Sequence, residues 1–163
     1  MPAISDVKCY LFAQNTGTTN ERALEELKAG RKRSHWIWFV LPQLQGLGRS
    51  AMAEHYGINR LQEAKAYLAE PTLLSRLEEV IAVIAEQLQK PEQSLERLMG
   101  GNLDATKTIS CLTLFEAAGL NSAEALLNQL GRRCNKTQAL LNAPAPGPSR
   151  AARPPRRAAD QSG

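Results

Sequence analysis

LLSRLEEVIAVIAEQLQ, residues 73–89, is the stretch whose reading decides the fold. Leu77, Val80, Ile81, Ile84 and Leu88 recur at three- and four-residue intervals, the spacing that lines one face of a helix. A stripe of that length must be buried against something, and the neighbouring sequence offers more helices. Pro71 separates it from a helix that begins at Asn59 and carries Leu61, Ala64 and Leu68 on one side. Further upstream, Ser50 is placed to cap a short helix ending near Gly57. Thr18 and Glu21 have the spacing of a capping box for a helix that runs through Ala29, packs Leu24 and Leu27, and stops at Gly30. Ser5 can start a first helix through Gln14, with Val7, Tyr10 and Leu11 on its apolar face.

Downstream the pattern continues. A turn or two follows Pro91 before Gly100 and Gly101 interrupt the chain. Asp104 is placed to begin a helix carrying Ile109, Leu112 and Phe115 to an end at Gly119. Ser122 then caps a segment with Leu126, Leu127 and Leu130 that Gly131 closes, and Asn135 caps a last short helix bearing Leu140 and Leu141. No internal repeat accompanies the succession. The expected fold is all-α: a compact single domain of about seven to nine short to medium helices over residues 1–143. From Pro144 onward proline, alanine and arginine replace the periodic pattern, so residues 144–163 read as a disordered basic tail with little apolar surface to offset the entropy of ordering.

The chain has 163 residues and a formal charge of +4, a length suited to one hydrophobic core. Four arginines against Asp160 place +3 of that charge in the tail, leaving +1 for the first 143 residues. The high pI therefore belongs to the tail, and nucleic acid is a weak expectation as a partner. No secretory segment and no apolar run of membrane-spanning length, roughly 20 residues, is visible, so a cytoplasmic location and no membrane association are expected. Cys9, Cys111 and Cys134 are widely spaced and odd in number, which fits reduced, mostly buried thiols better than a disulfide framework. His35 and His55 lie far apart, and neither an HExxH nor a CxxC pair occurs, so neither a metal nor a cofactor is expected.

The chemically dense stretch is KRSHWIWFVLPQLQGLG, residues 32–48. Its run from Trp36 to Leu41 is too continuously apolar for periodicity to fix, and a short strand or a buried extended segment is the expected form. Pro42 disfavours helix at Leu41, and Gly46 and Gly48 permit a turn. Lys32, Arg33 and His35 bring charge and hydrogen bonding beside Trp36 and Trp38, whose rings can stack on a base or cover an aliphatic surface. Gln43 adds an amide. Asp104 and Lys107 stand one helical turn apart and, if the fold joins them to this stretch, give His35 an orienting carboxylate and a cation. Each residue has a plainer use: tryptophans as core, Lys32 and Arg33 as a solvated face, His35 bonded to a carbonyl, Asp104 and Lys107 as a helix-surface pair. The glycines form no nucleotide fingerprint and read as a turn, and Ser50 reads as a cap rather than a nucleophile.

GRKRSHWIWFVLPQLQGLGRS resembles the Gly-x-Lys-Arg-Ser-His-Trp-Met-Trp, Phe-Pro-Gln and Gly-Leu-Gly-x-Ser pattern of an uncharacterised family of small helical bacterial proteins. That family has fungal members and has sometimes been labelled calpastatin-like. The likeness continues through AMAEHYGIN, LQEAKAYLAEP and LDATKTISCLTLFEAAG, spanning residues 5–142 and leaving out the tail. The signature falls on Lys32, Arg33, Ser34, His35, Trp36, Trp38, Pro42, Gln43, Gly46, Leu47, Gly48 and Ser50. Later motifs fall on Tyr56, Glu63, Ala64, Tyr67, Leu68 and Pro71, then on Asp104, Lys107, Ser110, Thr113, Leu114 and Phe115. Ile37 stands for the usual methionine, Leu41 for phenylalanine, Glu70 for histidine and Cys111 for serine; Ser75 lies near a usual glycine. The resemblance implies an all-helical single domain. It implies no activity, and the calpastatin label finds no physical counterpart in these residues.

The functional expectation is a binding protein that takes a small anionic or nucleotide-like ligand, or a protein partner, through residues 32–50. Its candidate contacts are Lys32, Arg33, His35, Trp36, Trp38, Gln43, Asp104 and Lys107. One alternative is an enzyme acting on a small phosphorylated or nucleotide-like substrate, with His35 as base, Asp104 orienting it and Lys107 stabilising negative charge. Another is a structural protein-interaction module.

Overall fold

Leu73, Leu77, Val80, Ile81 and Ile84 are all buried along one helix, as their spacing requires. A computed structural model of the chain describes residues 2–16, 19–45, 47 and 51–142. Among these the regular structure is helical: α1 (Pro2–Asn15), α2 (Thr19–Lys28), α3 (Ile37–Val40), α4 (Ala51–Tyr56), α5 (Leu61–Ala69), α6 (Pro71–Gln87), α7 (Leu95–Met99), α8 (Asn102–Ala117), α9 (Asn121–Leu130) and α10 (Asn135–Asn142). Nine are the helices of the expected all-α domain. The tenth, α3, is one turn of four residues where a strand or extended segment was expected. Leu41 donates its amide to the Ile37 carbonyl and closes that turn before Pro42, so the apolar run meets its backbone needs internally. A parallel bridge between Leu44 and Ile58 follows it. Thr18, Gly46, Gly48, Ser50 and the tail from 144 to 163 lie outside the described residues.

Local signals explain most boundaries, with some exchanges of partner. Glu70 caps α6 by accepting from the amides of Thr72 and Leu73, and Pro71 occupies the first turn, where its missing amide costs nothing. The chain thus passes from α5 into α6 with Glu70 shared between the two ends. Glu63 reaches back to the Asn59 amide at the start of α5. Ser94 caps α7, and Gly100 ends it in the left-handed region. Asp104 does not begin α8, which starts at Asn102 behind Gly101. Ser122 does not cap α9; its hydroxyl is buried without a partner, and the helix begins at Asn121. At α10 the Thr137 amide is accepted by Cys134 Sγ at 3.3 Å, so the thiol takes the capping role expected of Asn135.

The centre of the fold is α8. Every residue from Thr108 to Phe115 is buried, and the helix packs against α3, α5, α7, α9 and α10. A helix covered on all sides must satisfy its polar side chains internally. Thr108, Ser110 and Thr113 do so by donating to the carbonyls of Asp104, Thr106 and Ile109. On one flank α6 meets α2, α5, α7 and α9; on another α1 meets α2, α3, α4, α5 and α6. This places the α2–α3 connection beside the N-terminal half of α8.

Candidate functional site

That connection is built on Glu26, in the last turns of α2. Its carboxylate accepts from the amides of Arg33 at 2.7 Å and Ser34 at 2.9 Å, from the Trp36 indole at 2.9 Å, and from the Ser34 hydroxyl. Burial works to raise the pKa of this carboxyl, but those four donors together outweigh it and hold the group at about 2. Nothing in the spacing of α2 marks Glu26 as special, because its partners are brought back only when the chain reverses at Gly30 (φ 95°). The connection is pinned at a second point where the Lys32 amide donates to the Leu98 carbonyl at 2.7 Å. Gly100 lies against this contact: a Cβ there would stand 3.0 Å from the Lys32 carbonyl oxygen, at φ +85°. Only glycine accommodates both.

Lys32 is turned inward. Its ammonium meets Asp104 Oδ2 at 2.7 Å and the Ser34 carbonyl at 2.6 Å, and lies 4.9 Å from the centroid of the Trp36 ring. Desolvation of the ammonium is offset by a carboxylate, a carbonyl and an aromatic face together. Trp36 is 1% exposed and spends its only donor on Glu26. Lys32 and Trp36 are therefore framework, and Asp104 is the framework's third member.

Trp38 is different. Its ring is only partly buried, and its Nε1 is enclosed without a hydrogen-bond partner. The Lys107 ammonium stands 5.2 Å from the ring centroid, 3.7 Å from Asp104 Oδ1. The His35 ring lies 6.4 Å from Trp38, its plane inclined by 30°. His35 and Arg33 are both exposed, and among the described residues the Arg33 guanidinium enters no ion pair. The packing of α3 on α8 thus joins residues 32–38 with residues 104–107. Gln43 is half-buried, and its hydrogen bond runs through the backbone: its carbonyl accepts from the Ile58 amide at 3.0 Å. Among the described residues no hydrogen bond joins His35 to Asp104.

A recess of about 410 Å³ lies elsewhere, lined by Thr113, Glu116, Ala117, Gln138, Leu141 and Asn142, none of which belongs to this cluster. Among the described residues no group of three or more His, Cys, Asp or Glu side chains could hold a metal ion. No helix among them is long and apolar enough to cross a membrane.

Residues 4–141 match the profile of a family described as "Protein of unknown function (DUF1810)". The crystal structure of the conserved hypothetical protein Rv1873 from Mycobacterium tuberculosis is similar to this chain, with 40% identity and a TM-score of 0.76. The match covers 85% of this chain and 98% of that one. No curated protein matches.

Proposed function

This chain belongs to the DUF1810 family of proteins of unknown function, and from that premise we propose that it binds a small anionic, nucleotide-like ligand on the rim formed by Arg33, His35, Trp38 and Lys107. The observation that carries this reading is the half-buried Trp38 ring flanked by Lys107 at 5.2 Å and by the His35 ring at 6.4 Å. An indole face beside cations suits a flat ring that bears a negative group. Asp104 neutralises Lys32 at 2.7 Å and holds Lys107 only at 3.7 Å, so Lys107 is the cation of the pair with capacity left for an incoming anion. Exposed Arg33 adds a planar donor suited to carboxylate or phosphate. Lys32, Trp36 and Asp104 serve by holding the rim in place.

The enzyme alternative needs His35 polarised by a carboxylate, and Asp104 is occupied by two lysines. A purely structural use accounts for Trp36, but leaves the partly exposed Trp38 ring with an enclosed Nε1 that has no partner. The test is a thermal-shift screen of the full chain against nucleoside mono- and diphosphates, free nucleosides and inorganic phosphate. The expected result is stabilisation by at least one nucleotide that exceeds those by nucleoside and phosphate and is lost in Trp38→Ala and Lys107→Ala. Stabilisation that persists in both variants, or no response to any of these compounds, would overturn the proposal.

A further inference from the structure

Away from that rim, α1 and α4 meet at a second pair of reactive groups. Cys9 Sγ and His55 Nε2 are 3.6 Å apart, joining positions 46 residues distant in the chain. The thiol is partly exposed and the imidazole exposed, so the pair opens to solvent. The His55 ring is set edge-on against Tyr56, with centroids 4.6 Å apart. Tyr56 is itself fixed, since the Tyr10 hydroxyl donates to its carbonyl and its ring packs against Phe39 at 5.2 Å. The imidazole is thus presented to the sulfur by a packed aromatic cluster.

We infer that Cys9 and His55 act as a thiolate–imidazolium pair, and that Cys9 is a site of thiol–disulfide exchange with low-molecular-weight disulfides. A nucleophile and a base within hydrogen-bond reach is the arrangement that ionises a thiol near neutral pH. In the exchange, Cys9 Sγ⁻ attacks one sulfur of R–S–S–R. The Cys9–S–SR bond forms as the S–SR bond breaks, and RS⁻ leaves and takes the proton that His55 holds. Cys9 is oxidised to the disulfide level, and the departing sulfur is reduced to a thiol. The Tyr56 phenol beside the pair keeps its own proton, since burial and then the charge of Cys9 push it above its ordinary range.

The other two thiols provide references within the molecule. Cys111 is fully buried, and burial pushes its thiol well up. Cys134 is half-buried; burial works to raise its pKa, but hydrogen bonds from the Ser110 and Thr137 hydroxyls and neighbouring amides outweigh it. Neither touches an imidazole among the described residues.

The experiment uses the reduced full chain, with alkylation by iodoacetamide followed site by site by peptide mass spectrometry, and parallel exposure to glutathione disulfide. At about pH 6 an ordinary thiol is only about 0.3% ionised, so a paired thiolate is expected to react about tenfold faster even after its lower nucleophilicity is allowed for. His55→Gln and His55→Ala are each expected to slow Cys9 by about that factor while leaving Cys134 unchanged, which separates loss of the base from general loosening. Glutathione is expected on Cys9 in the wild type and to be much reduced there in both variants. Cys9 alkylation that is indifferent to His55, or glutathione on Cys134 in preference to Cys9, would overturn the inference.

Discussion

Removing the charge of Glu26 while keeping its shape tests whether this one carboxylate organises the connection that carries the rim. Its pKa of about 2 in the folded chain, against 4.5 for an ordinary carboxyl, corresponds to about 3 kcal/mol by linkage. The group is partly open to solvent, so screening reduces that to about 2 kcal/mol. Because the folded-state pKa is depressed, the contribution is complete above about pH 4.5 and is lost as pH falls toward 2. Between about pH 6 and pH 3, roughly 1 kcal/mol of it disappears. In Glu26→Gln, Oε1 still accepts the two amides and the indole, and the Ser34 hydroxyl can turn to accept from the new amide group. That variant is expected to be less stable than wild type by about 1–2 kcal/mol at neutral pH, with the gap narrowing at about pH 3. Glu26→Ala leaves four donors facing no acceptor and is expected to cost about 3 kcal/mol. Urea unfolding at the two pH values, followed by far-UV circular dichroism, gives all three numbers. A wild-type-to-Gln gap that stays constant with pH would refute the assignment of the shift to Glu26 and with it the carboxylate's organising role.

Other perturbations follow from the same geometry. Gly100→Ala places a Cβ at φ +85° and 3.0 Å from the Lys32 carbonyl, and is expected to cost about 1–2 kcal/mol in urea unfolding, well above a Gly→Ala change at an unstrained site. Lys32→Met removes the cation from Asp104 while keeping the aliphatic stem, and thermal unfolding is expected to show a loss of about 2 kcal/mol, tempered by the access of Asp104 to Lys107 and solvent. Tyr67→Phe removes the hydroxyl to which Gln14 Nε2 donates at 3.1 Å in a buried setting, a change expected to cost about 1 kcal/mol because Gln14 keeps its bond to the Phe39 carbonyl.

How much of this the sequence discloses depends on whether a feature is local. The α6 stripe is legible because one apolar face implies one periodicity, and Pro71, Gly30 and Gly131 mark ends through chemistry contained in a few residues. The role of α8 is harder to read. It is buried on every side, so Thr108, Ser110, Cys111 and Thr113 interrupt any stripe, and only their bonds to the preceding turn explain their burial. The run from Trp36 to Leu41 is ambiguous for the same reason, its burial on α8 overriding any alternation. At the candidate site, residue types point to Lys32, Trp38, Asp104 and Lys107, but not to the division of labour in which Lys32 and Asp104 face each other and Lys107 faces Trp38. Glu26 and the Cys9–His55 pair are tertiary facts: a glutamate on a helix and a cysteine 46 positions from a histidine acquire meaning only when the chain brings their partners to them.

The two indole N–H groups offer the most direct measurement of the central claim, because they occupy opposite roles two positions apart in the chain: Trp36 Nε1 is bound to Glu26 at 2.9 Å, whereas Trp38 Nε1 has no partner. In a ¹⁵N-labelled sample titrated with a nucleoside monophosphate, the Trp38 indole resonance is expected to move saturably and the Trp36 resonance to stay nearly still. Movement of neither, or equal movement of both, would contradict a ligand seated on the Trp38 rim.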